Sequence, residues 1–232
     1  MAERKTIGII GGMGPLATVE LFRKLVLLTR ASSDREHIHI LVDNFPQVPD
    51  RTASILNGGE SPVPYIVQAG ERLARSGAEL LLLPCNTSHY YYGEIAARLP
   101  VPLLNMLQLT ALSLQASGVR KVGLLATDGT IKTRVFEKAL AEVGIDALLP
   151  DESGQKAVMD MIYLQIKAGK EPNRPSLERV MDKLRSRGAE RIVFGCTELP
   201  LAFDGAMPAD AVDPAHILAL EAIRQAGYRA KG

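Results

Sequence analysis

Short apolar segments alternate with amphipathic segments along almost the whole chain. The apolar segments have the length of buried strands, and the segments between them repeat apolar residues at helical spacing. The pattern predicts strands at Thr6–Ile10, Ile38–Asp43, Glu79–Pro84, Val101–Leu104, Lys121–Ala126, Asp146–Leu149 and Arg191–Phe194. It predicts helices at Thr18–Ala31, Tyr65–Arg75, Gly93–Arg98, Thr133–Val143, Glu152–Ala168, Leu177–Arg187 and Pro214–Ala226. Such alternation is typical of α/β folds in which helices cover both faces of a parallel sheet.

A weak internal repeat divides this α/β pattern into two halves. The segment 7–12 resembles the segment 122–127, and at nearly the same offset a strand ending in Cys85 is matched by one ending in Cys196. We therefore expect two similar doubly wound parallel-sheet domains, related by a pseudo-twofold axis, at residues 1–105 and 106–212. The segment 213–232 is expected to return to the first domain. Ligands of such sheets bind at the carboxyl ends of the strands, so we expect the active site in the cleft between the domains.

The two cysteines of the chain occupy matching positions, each at the polar exit of an apolar strand. Two similar thiols suit a reaction in which one group removes a proton from a carbon and the other protonates its opposite face. A position at a helix N-terminus would lower the pKa of each thiol. The alternative is a pair of unrelated buried cysteines. Cys85 and His89 have the spacing of metal ligands, but no second close pair accompanies them, and His89 is predicted to be a helix-surface or cleft residue.

The glycine-rich segment Gly11–Pro15 follows the first predicted strand and leaves three interpretations open. Its backbone N–H groups could hold a small carboxylate at a helix N-terminus. Residues 12–17 also fit the G-x-G-x-x-A dinucleotide pattern, although Asp43 lies farther along the chain than the ribose-binding acid of that pattern. The third interpretation is a tight turn that binds nothing.

Two cationic residues are candidates for carboxylate binding. Arg51 is predicted to lie in the loop after the second strand, where a guanidinium could clamp a carboxylate in bidentate geometry; a solvated surface arginine is the alternative. Lys167 is predicted to end a helix, and a favourable interaction with the helix C-terminus explains it equally well. The run Tyr90–Tyr92 is interpreted as packing.

Composition narrows the possible partners. The chain has 232 residues, 47% of them hydrophobic, and a formal net charge of +1. No charge excess favours nucleic acid or an anionic membrane surface. We expect no signal peptide and no membrane span, hence a cytoplasmic protein with reduced cysteines.

With these motifs in view, the sequence resembles the aspartate/glutamate racemase family, and most closely its aspartate racemases. The resemblance covers nearly the whole chain and is carried by the segments 11–18, 46–52, 84–87, 124–130, 167–169 and 195–198. It implies two α/β domains, a homodimer, and catalysis without pyridoxal phosphate, metal or any other cofactor. By this resemblance Cys85 and Cys196 are the catalytic acid and base, and Arg51 and Lys167 bind substrate carboxylates.

The sequence thus predicts a cofactor-independent racemase that interconverts L- and D-aspartate. Besides the two cysteines, the expected substrate contacts are Met13, Arg51, Asn86, Thr87, Thr127, Lys167 and Thr197. Glutamate, a broader set of amino acids or a hydantoin is the alternative substrate within the same superfamily. From a different class, the chain could be a non-catalytic module that binds a small anion or a nucleotide. Aspartate cannot be told from glutamate at this point, because one methylene in a pocket is worth only about 1–3 kcal/mol.

Overall fold

Two parallel sheets form the centre of the molecule in the computed structural model, which describes residues 4–203 and 206–231. Strands β1 (Ile7–Gly11), β2 (Ile40–Asn44) and β3 (Leu80–Leu82) form the first sheet in the order β2-β1-β3. Strands β4 (Lys121–Ala126), β5 (Asp146–Leu148), β6 (Arg191–Gly195) and β7 (Ala211–Val212) form the second in the order β5-β4-β6-β7. Every pairing within both sheets is parallel. The predicted α/β fold with two parallel-sheet domains is confirmed.

The predicted strand Val101–Leu104 is wrong, because this segment contributes only a single parallel bridge between Leu103 and Leu81. Pro102 has no backbone N–H to donate, so the segment cannot continue as a regular sheet strand. Strand β7 was not predicted, because its two residues are too few to produce a pattern. The other predicted strands are present with ends shifted by at most two residues.

The helices cover the two sheets. They are α1 (Pro15–Leu28), α2 (Arg51–Asn57), α3 (Val63–Arg75), α4 (Tyr92–Ala96), α5 (Met106–Ala116), α6 (Asp128–Thr133), α7 (Val135–Ala141), α8 (Glu152–Met159), α9 (Arg174–Ser186) and α10 (Pro214–Gln225). Short 3₁₀ turns occupy Asp34–Glu36, Thr87–Tyr91 and Leu199–Phe203, and a π-helical segment occupies Asp160–Ile166. None of the helices described here is both long and apolar enough to cross a membrane.

Several of the helical predictions need correction. The predicted helix Thr133–Val143 is shorter, because Arg134 adopts a left-handed conformation with φ of 56° and α7 begins only after it. The predicted helix Glu152–Ala168 changes from α8 to the π-helical segment at Asp160. Helices α2, α5 and α6 were not predicted. Each begins after a side chain that accepts a hydrogen bond from its first turn, which is Asp50, Asn105 and Thr127, respectively, and such capping residues define helix starts.

Helix α5, which follows residues 1–105, packs on the second sheet, and helix α10, which follows residues 106–212, packs on the first sheet. Buried residues of α5, among them Leu107 and Leu114, share a core cluster with β4. Buried residues of α10, among them Leu218 and Ile223, share a core cluster with β1 and β3. The C-terminal helix therefore covers the first sheet, and the proposed boundaries at residues 105 and 213 stay a prediction. Positions 1–3, 204–205 and 232 of the proposed domains lie outside the described residues.

Candidate active site

A small cavity lies where the segments after β1, β3, β4 and β6 meet. All nine residues predicted as catalytic or substrate-binding line it. The complete lining is Met13, Arg51, Thr52, Cys85, Asn86, Thr87, Thr127, Tyr163, Lys167, Cys196, Thr197 and Glu198. Its volume of about 10 Å³ is close to that of a single water-sized probe, so an amino acid can enter only if the cleft opens. A larger groove of about 800 Å³ near α1 and α10 contains neither cysteine.

Cys196 lies against a buried carboxylate, that of Glu198, which was not predicted as a site residue. Its Sγ donates a hydrogen bond to Oε2 of Glu198 at 2.9 Å. The other carboxylate oxygen, Oε1, accepts from the backbone N–H of Gly14 at 3.1 Å. Glu198 is only 3% exposed. The available signal was the carboxylate two positions after the cysteine in the segment 195–198.

The pKa of the Cys196 thiol is raised well above its ordinary value. Burial is the largest cause and the charge of Glu198 adds to it, while Lys167 acts in the opposite direction. The predicted lowering at a helix N-terminus is therefore wrong for Cys196. The helical segment that follows is only the short 3₁₀ turn Leu199–Phe203, and its field is too weak to offset a desolvated thiol beside a carboxylate.

Arg51 is the charged neighbour of the other cysteine. It is the first residue of α2, so the predicted loop position is wrong, and with 7% exposure it is not a solvated surface arginine. Its guanidinium donates through Nη1 to the carbonyls of Val48 and Pro49 at 3.3 and 3.0 Å, and through Nη2 to that of Met13 at 3.4 Å. Burial acts to lower the pKa of Arg51, but interactions with Cys85 and Asp50 outweigh it and raise the pKa.

Unpartnered polar atoms face this cavity. Both polar atoms of the Asn86 amide, which is 2% exposed, have no hydrogen-bond partner in the described part of the chain, and neither has Nε of Arg51. A buried polar group without a partner costs about 1–3 kcal/mol. Native proteins keep few such groups, and functional sites are one reason for them. The donors and acceptors of a polar ligand would satisfy all three atoms.

Threonine hydroxyl groups connect the two domains beside the cysteines. The Oγ1 atom of Thr87 lies 2.9 Å from that of Thr127 and 3.1 Å from that of Thr130. On the other side of the cavity, Thr197 donates to the carbonyl of Pro84 at 3.2 Å. These contacts are polar hydrogen bonds rather than interlocked apolar side chains, so they can break and re-form when the domains separate.

The π-helical segment Asp160–Ile166 brings two residues to the cavity, one of which was not predicted. The hydroxyl of Tyr163 lies 3.1 Å from Oδ2 of Asp50 and 3.1 Å from Oγ1 of Thr52 across the cleft. Burial raises the pKa of Tyr163 to about 12. The ammonium of Lys167 lies 4.5 Å from the centre of the Tyr163 ring, in the range of a cation–π contact.

Lys167 joins the charged groups of the cavity although much of its side chain is exposed to solvent. Burial of its ammonium acts to lower its pKa, but Glu198 and Cys196 outweigh this and raise it. Lys167 also follows the end of the π-helical segment, so the helix C-terminus and the anionic cavity both favour its charge. π-Helical segments are frequent at functional sites, but sequence periodicity does not distinguish them from α-helices.

The glycines of the segment Gly11–Pro15 serve contacts within the protein. Gly12 has φ of 94°, and a side chain there would overlap the backbone of Phe45. The N–H of Gly14 is already bound by Glu198. Met13 contributes its carbonyl to Arg51 and its sulfur to a contact with Ser88. This loop therefore helps to build the cavity wall, which favours the tight-turn interpretation over dinucleotide binding.

His89 is buried rather than exposed on the helix surface, and it does not line the cavity that contains the two cysteines, contrary to expectation. Its Nε2 accepts from the N–H of Met106 at 3.1 Å, and Nδ1 lies 2.9 Å from the carbonyl oxygen of Cys85. The neutral ring must therefore carry its proton on Nδ1 and donate it to that carbonyl. Both nitrogens are occupied, so His89 does not form a metal site with the Cys85 sulfur. In the described part of the chain, no three His, Cys, Asp or Glu side chains form a group that could hold a metal ion.

His89 should make the protein less stable as the pH falls. Burial lowers its pKa from 6.5 to about 4, so between these values the unfolded chain binds a proton that the folded one does not. We expect roughly 3 kcal/mol of the free energy of unfolding to be lost from about pH 6.5 to about pH 4. Urea unfolding over this range should show a slope that His89→Gln reduces. The exposed His216, replaced in the same way, is the matched control, and equal slopes in both variants would contradict the assignment.

The fold and this cavity define a two-domain α/β protein with paired cysteines in its cleft. The sequence model of the Asp/Glu/Hydantoin racemase family matches residues 10–222. The chain belongs to this family, which places it among the racemases, a class of isomerases.

Individual relatives agree with this assignment. The structure of Picrophilus torridus aspartate racemase superimposes with a TM-score of 0.87 at 32% identity and covers 98% of this chain and 96% of that one. An aspartate racemase homologue from Pyrococcus horikoshii OT3 gives a TM-score of 0.78 at 27% identity, with coverage of 96% and 99%. The broad specificity amino-acid racemase RacX of Bacillus subtilis is 29% identical over 206 residues, covering 85% of this chain and 87% of the relative.

Proposed function

We propose that this protein is a cofactor-independent racemase that interconverts L- and D-aspartate by two-base proton transfer at Cα. The observation that carries the proposal is the convergence of Cys85, Cys196, Arg51 and Lys167 on one cavity between the two sheets. Each cysteine comes from a different domain, so a substrate between them presents opposite faces of its α-carbon to the two sulfurs.

The cavity residues can take distinct parts in this reaction. One sulfur, as thiolate, removes the α-proton, and the other, as thiol, protonates the opposite face; the two exchange parts in the reverse direction. The α-carbanion delocalises into the α-carboxylate, and donors fixed in advance stabilise that developing charge. The unpartnered amide of Asn86 is placed to supply one such donor. Closure of the cavity around the substrate would exclude water and strengthen these interactions.

Two cations on different domains favour a dicarboxylic substrate. Arg51 belongs to the first domain and Lys167 to the second, and both line the cavity. One would hold the α-carboxylate and the other the side-chain carboxylate, so closure requires both acid groups. The similarity to Picrophilus torridus aspartate racemase over nearly the full length supports aspartate. The predictions of a homodimer and of a cytoplasmic location are kept as parts of this proposal.

A broader substrate range is the second candidate. It is favoured by the similarity to the broad specificity amino-acid racemase of Bacillus subtilis and by the exposed side chain of Lys167, which could adapt to a substrate of another length. If aspartate is the preferred substrate, its kcat/KM should exceed that of glutamate by about 10-fold or more, the worth of one methylene in a fitted pocket.

The test is incubation of reduced protein with L-aspartate in D₂O without added cofactor. Proton NMR follows the loss of the α-proton signal, and chiral chromatography follows the appearance of D-aspartate. We expect both, and the same with D-aspartate as the starting material. Parallel reactions with glutamate and with monocarboxylic amino acids measure the substrate range. Absence of α-proton exchange with every amino acid tested would refute the proposal.

A further inference from the structure

Groups of opposite charge flank the two cysteines. The nearest charged group to the Cys196 sulfur is the Glu198 carboxylate, which accepts its S–H at 2.9 Å. On the other side of the cavity, Arg51 lies with Cys85 in the same lining, and the two groups interact through charge. A reaction with two thiols needs one thiolate and one thiol before each turnover. The form with the proton on Cys196 and the form with the proton on Cys85 therefore differ in free energy in this cavity.

We propose that Glu198 is a positioning residue that holds Cys196 as the thiol in the resting cleft, so that Cys85 is the sulfur that begins as the base. The inference rests on the proposed function, because it specifies how the two acid/base groups of that reaction are prepared. Neither the family assignment nor the similarity to other racemases assigns a part to Glu198.

The position of the Glu198 carboxylate is fixed from both domains. Its Oε1 accepts the N–H of Gly14, which lies in the loop after β1, and its Oε2 accepts from Cys196. The hydroxyl of Thr197 lies 3.3 Å from the same Oε2. With 3% exposure, the carboxylate has no route to turn away into solvent. Its negative charge therefore stays against the sulfur as long as the cleft is closed.

Other ionisable groups around Cys196 do not remove this bias. The charge of Lys167, at the end of the π-helical segment, acts on the thiol and favours the thiolate. Tyr163 on the same segment and Arg51 and Cys85 from the first domain line the same cavity. The carboxylate is in direct contact with the sulfur, and burial disfavours a second anion beside it. The net effect raises the pKa of Cys196.

The preference for a thiol at Cys196 has a consequence for the proton balance of the reaction. The Cys85 thiolate takes the α-proton and becomes a thiol, and the Cys196 thiol gives its proton to the other face of the carbanion and becomes a thiolate. The enzyme then holds a thiolate against Glu198. It returns to the resting form when Cys85 releases a proton to solvent and Cys196 takes one up. Turnover of the opposite enantiomer has to begin from this less stable form.

Alkylation of the two cysteines tests the inference within one molecule. Reduced protein is treated with iodoacetamide from about pH 6 to about pH 10, and peptide mass spectrometry gives a separate rate for each cysteine. Both sulfurs line the same cavity, so access through the opened cleft is shared. We expect Cys85 to react first at neutral pH, and Cys196 to become reactive only at higher pH.

For each cysteine, the alkylation rate plotted against pH gives one curve. The variant Glu198→Gln should change only the curve of Cys196. The glutamine keeps an oxygen for the N–H of Gly14 but removes the charge. The Cys196 curve should move to lower pH by about one unit, so its rate at neutral pH should rise about tenfold, while the Cys85 curve stays in place. The exposed residue Glu94 on α4 is the matched control, and Glu94→Gln should leave both curves unchanged. Far-ultraviolet circular dichroism verifies that each variant is folded.

Two results would overturn the inference. One is a wild-type Cys196 that reacts at or below the pH at which Cys85 reacts, a measurement that needs no variant. The other is a folded Glu198→Gln protein whose Cys196 curve is that of the wild type. Alkylation does not depend on turnover, so failure of the proposed function is seen separately, as absent α-proton exchange with intact alkylation curves. Racemisation together with equal curves would leave the function standing and refute the part given to Glu198.

Discussion

Replacement of either Cys85 or Cys196 by alanine is expected to reduce the rate of aspartate racemisation by about 100-fold to 10,000-fold, the usual worth of a positioned acid or base. Each sulfur lines the cavity from its own domain. Removal of one leaves a single face of the α-carbon without a proton donor or acceptor. The variant that retains one cysteine should still exchange the α-proton of one enantiomer with D₂O, and the two variants should act on opposite enantiomers.

The measurement combines chiral chromatography with α-proton NMR for each single variant and for the double variant. Because the two sulfurs act as a unit, the double variant should racemise no more slowly than the worse single variant. Serine replacements serve as the structural control, since they refill the volume with a hydroxyl that ionises far less readily than a thiol. Full racemisation by either single variant would exclude a two-thiol mechanism.

The substitution Arg51→Lys is expected to lower kcat/KM for aspartate by about 100-fold, the worth of one or two hydrogen bonds to a charged group at 1.4 kcal/mol per factor of ten. The guanidinium of Arg51 is fixed by three backbone carbonyls and still has Nε free of protein partners among the described residues. A lysine ammonium is a single point of charge and cannot hold these carbonyls and a substrate carboxylate together.

Kinetics with aspartate and urea unfolding should be measured on the same preparation. Loss of the carbonyl contacts should also destabilise the fold, by roughly 1–3 kcal/mol, so activity is compared at a temperature where the variant is fully folded. The matched control is Arg72→Lys, since Arg72 forms an exposed ion pair with Asp43. A kcat/KM for Arg51→Lys within a few-fold of the control would refute carboxylate binding by Arg51.

The order of strands and helices was largely predictable because burial leaves a periodic pattern in the sequence. Strand β4 is found at the predicted residues Lys121–Ala126, since a central parallel strand is apolar on both faces. Helix α5 was missed because both of its faces carry apolar residues, which weakens the helical period. Helix α2 is only two turns long and follows Pro49, so its start depended on the Asp50 cap rather than on periodicity.

Nine of the twelve cavity residues were also predicted, because motifs that follow parallel strands meet at the carboxyl edge of a sheet and because the sequence resembles a racemase family. Thr52, Tyr163 and Glu198 were not predicted. The protonation states and hydrogen-bond partners of the cavity residues were not predictable. The Glu198 contact with Gly14 joins residues 184 positions apart, and the Tyr163 contact with Asp50 joins residues 113 positions apart. No local pattern encodes such pairs, since they exist only once the two domains have folded and approached.

The amino-acid sequence was therefore sufficient to give two α/β domains, a pair of cysteines at matching strand ends and membership of a racemase family. The two domains and the cysteine positions follow from local hydrophobic periodicity, from the internal repeat and from the positions of polar residues after strands. The family membership follows from the resemblance of the sequence motifs. The burial of Cys196 against a carboxylate, the fixed guanidinium of Arg51 and the neutral state of His89 became visible in the folded protein. They depend on desolvation and on charges from distant segments, and both of these are set by packing in three dimensions.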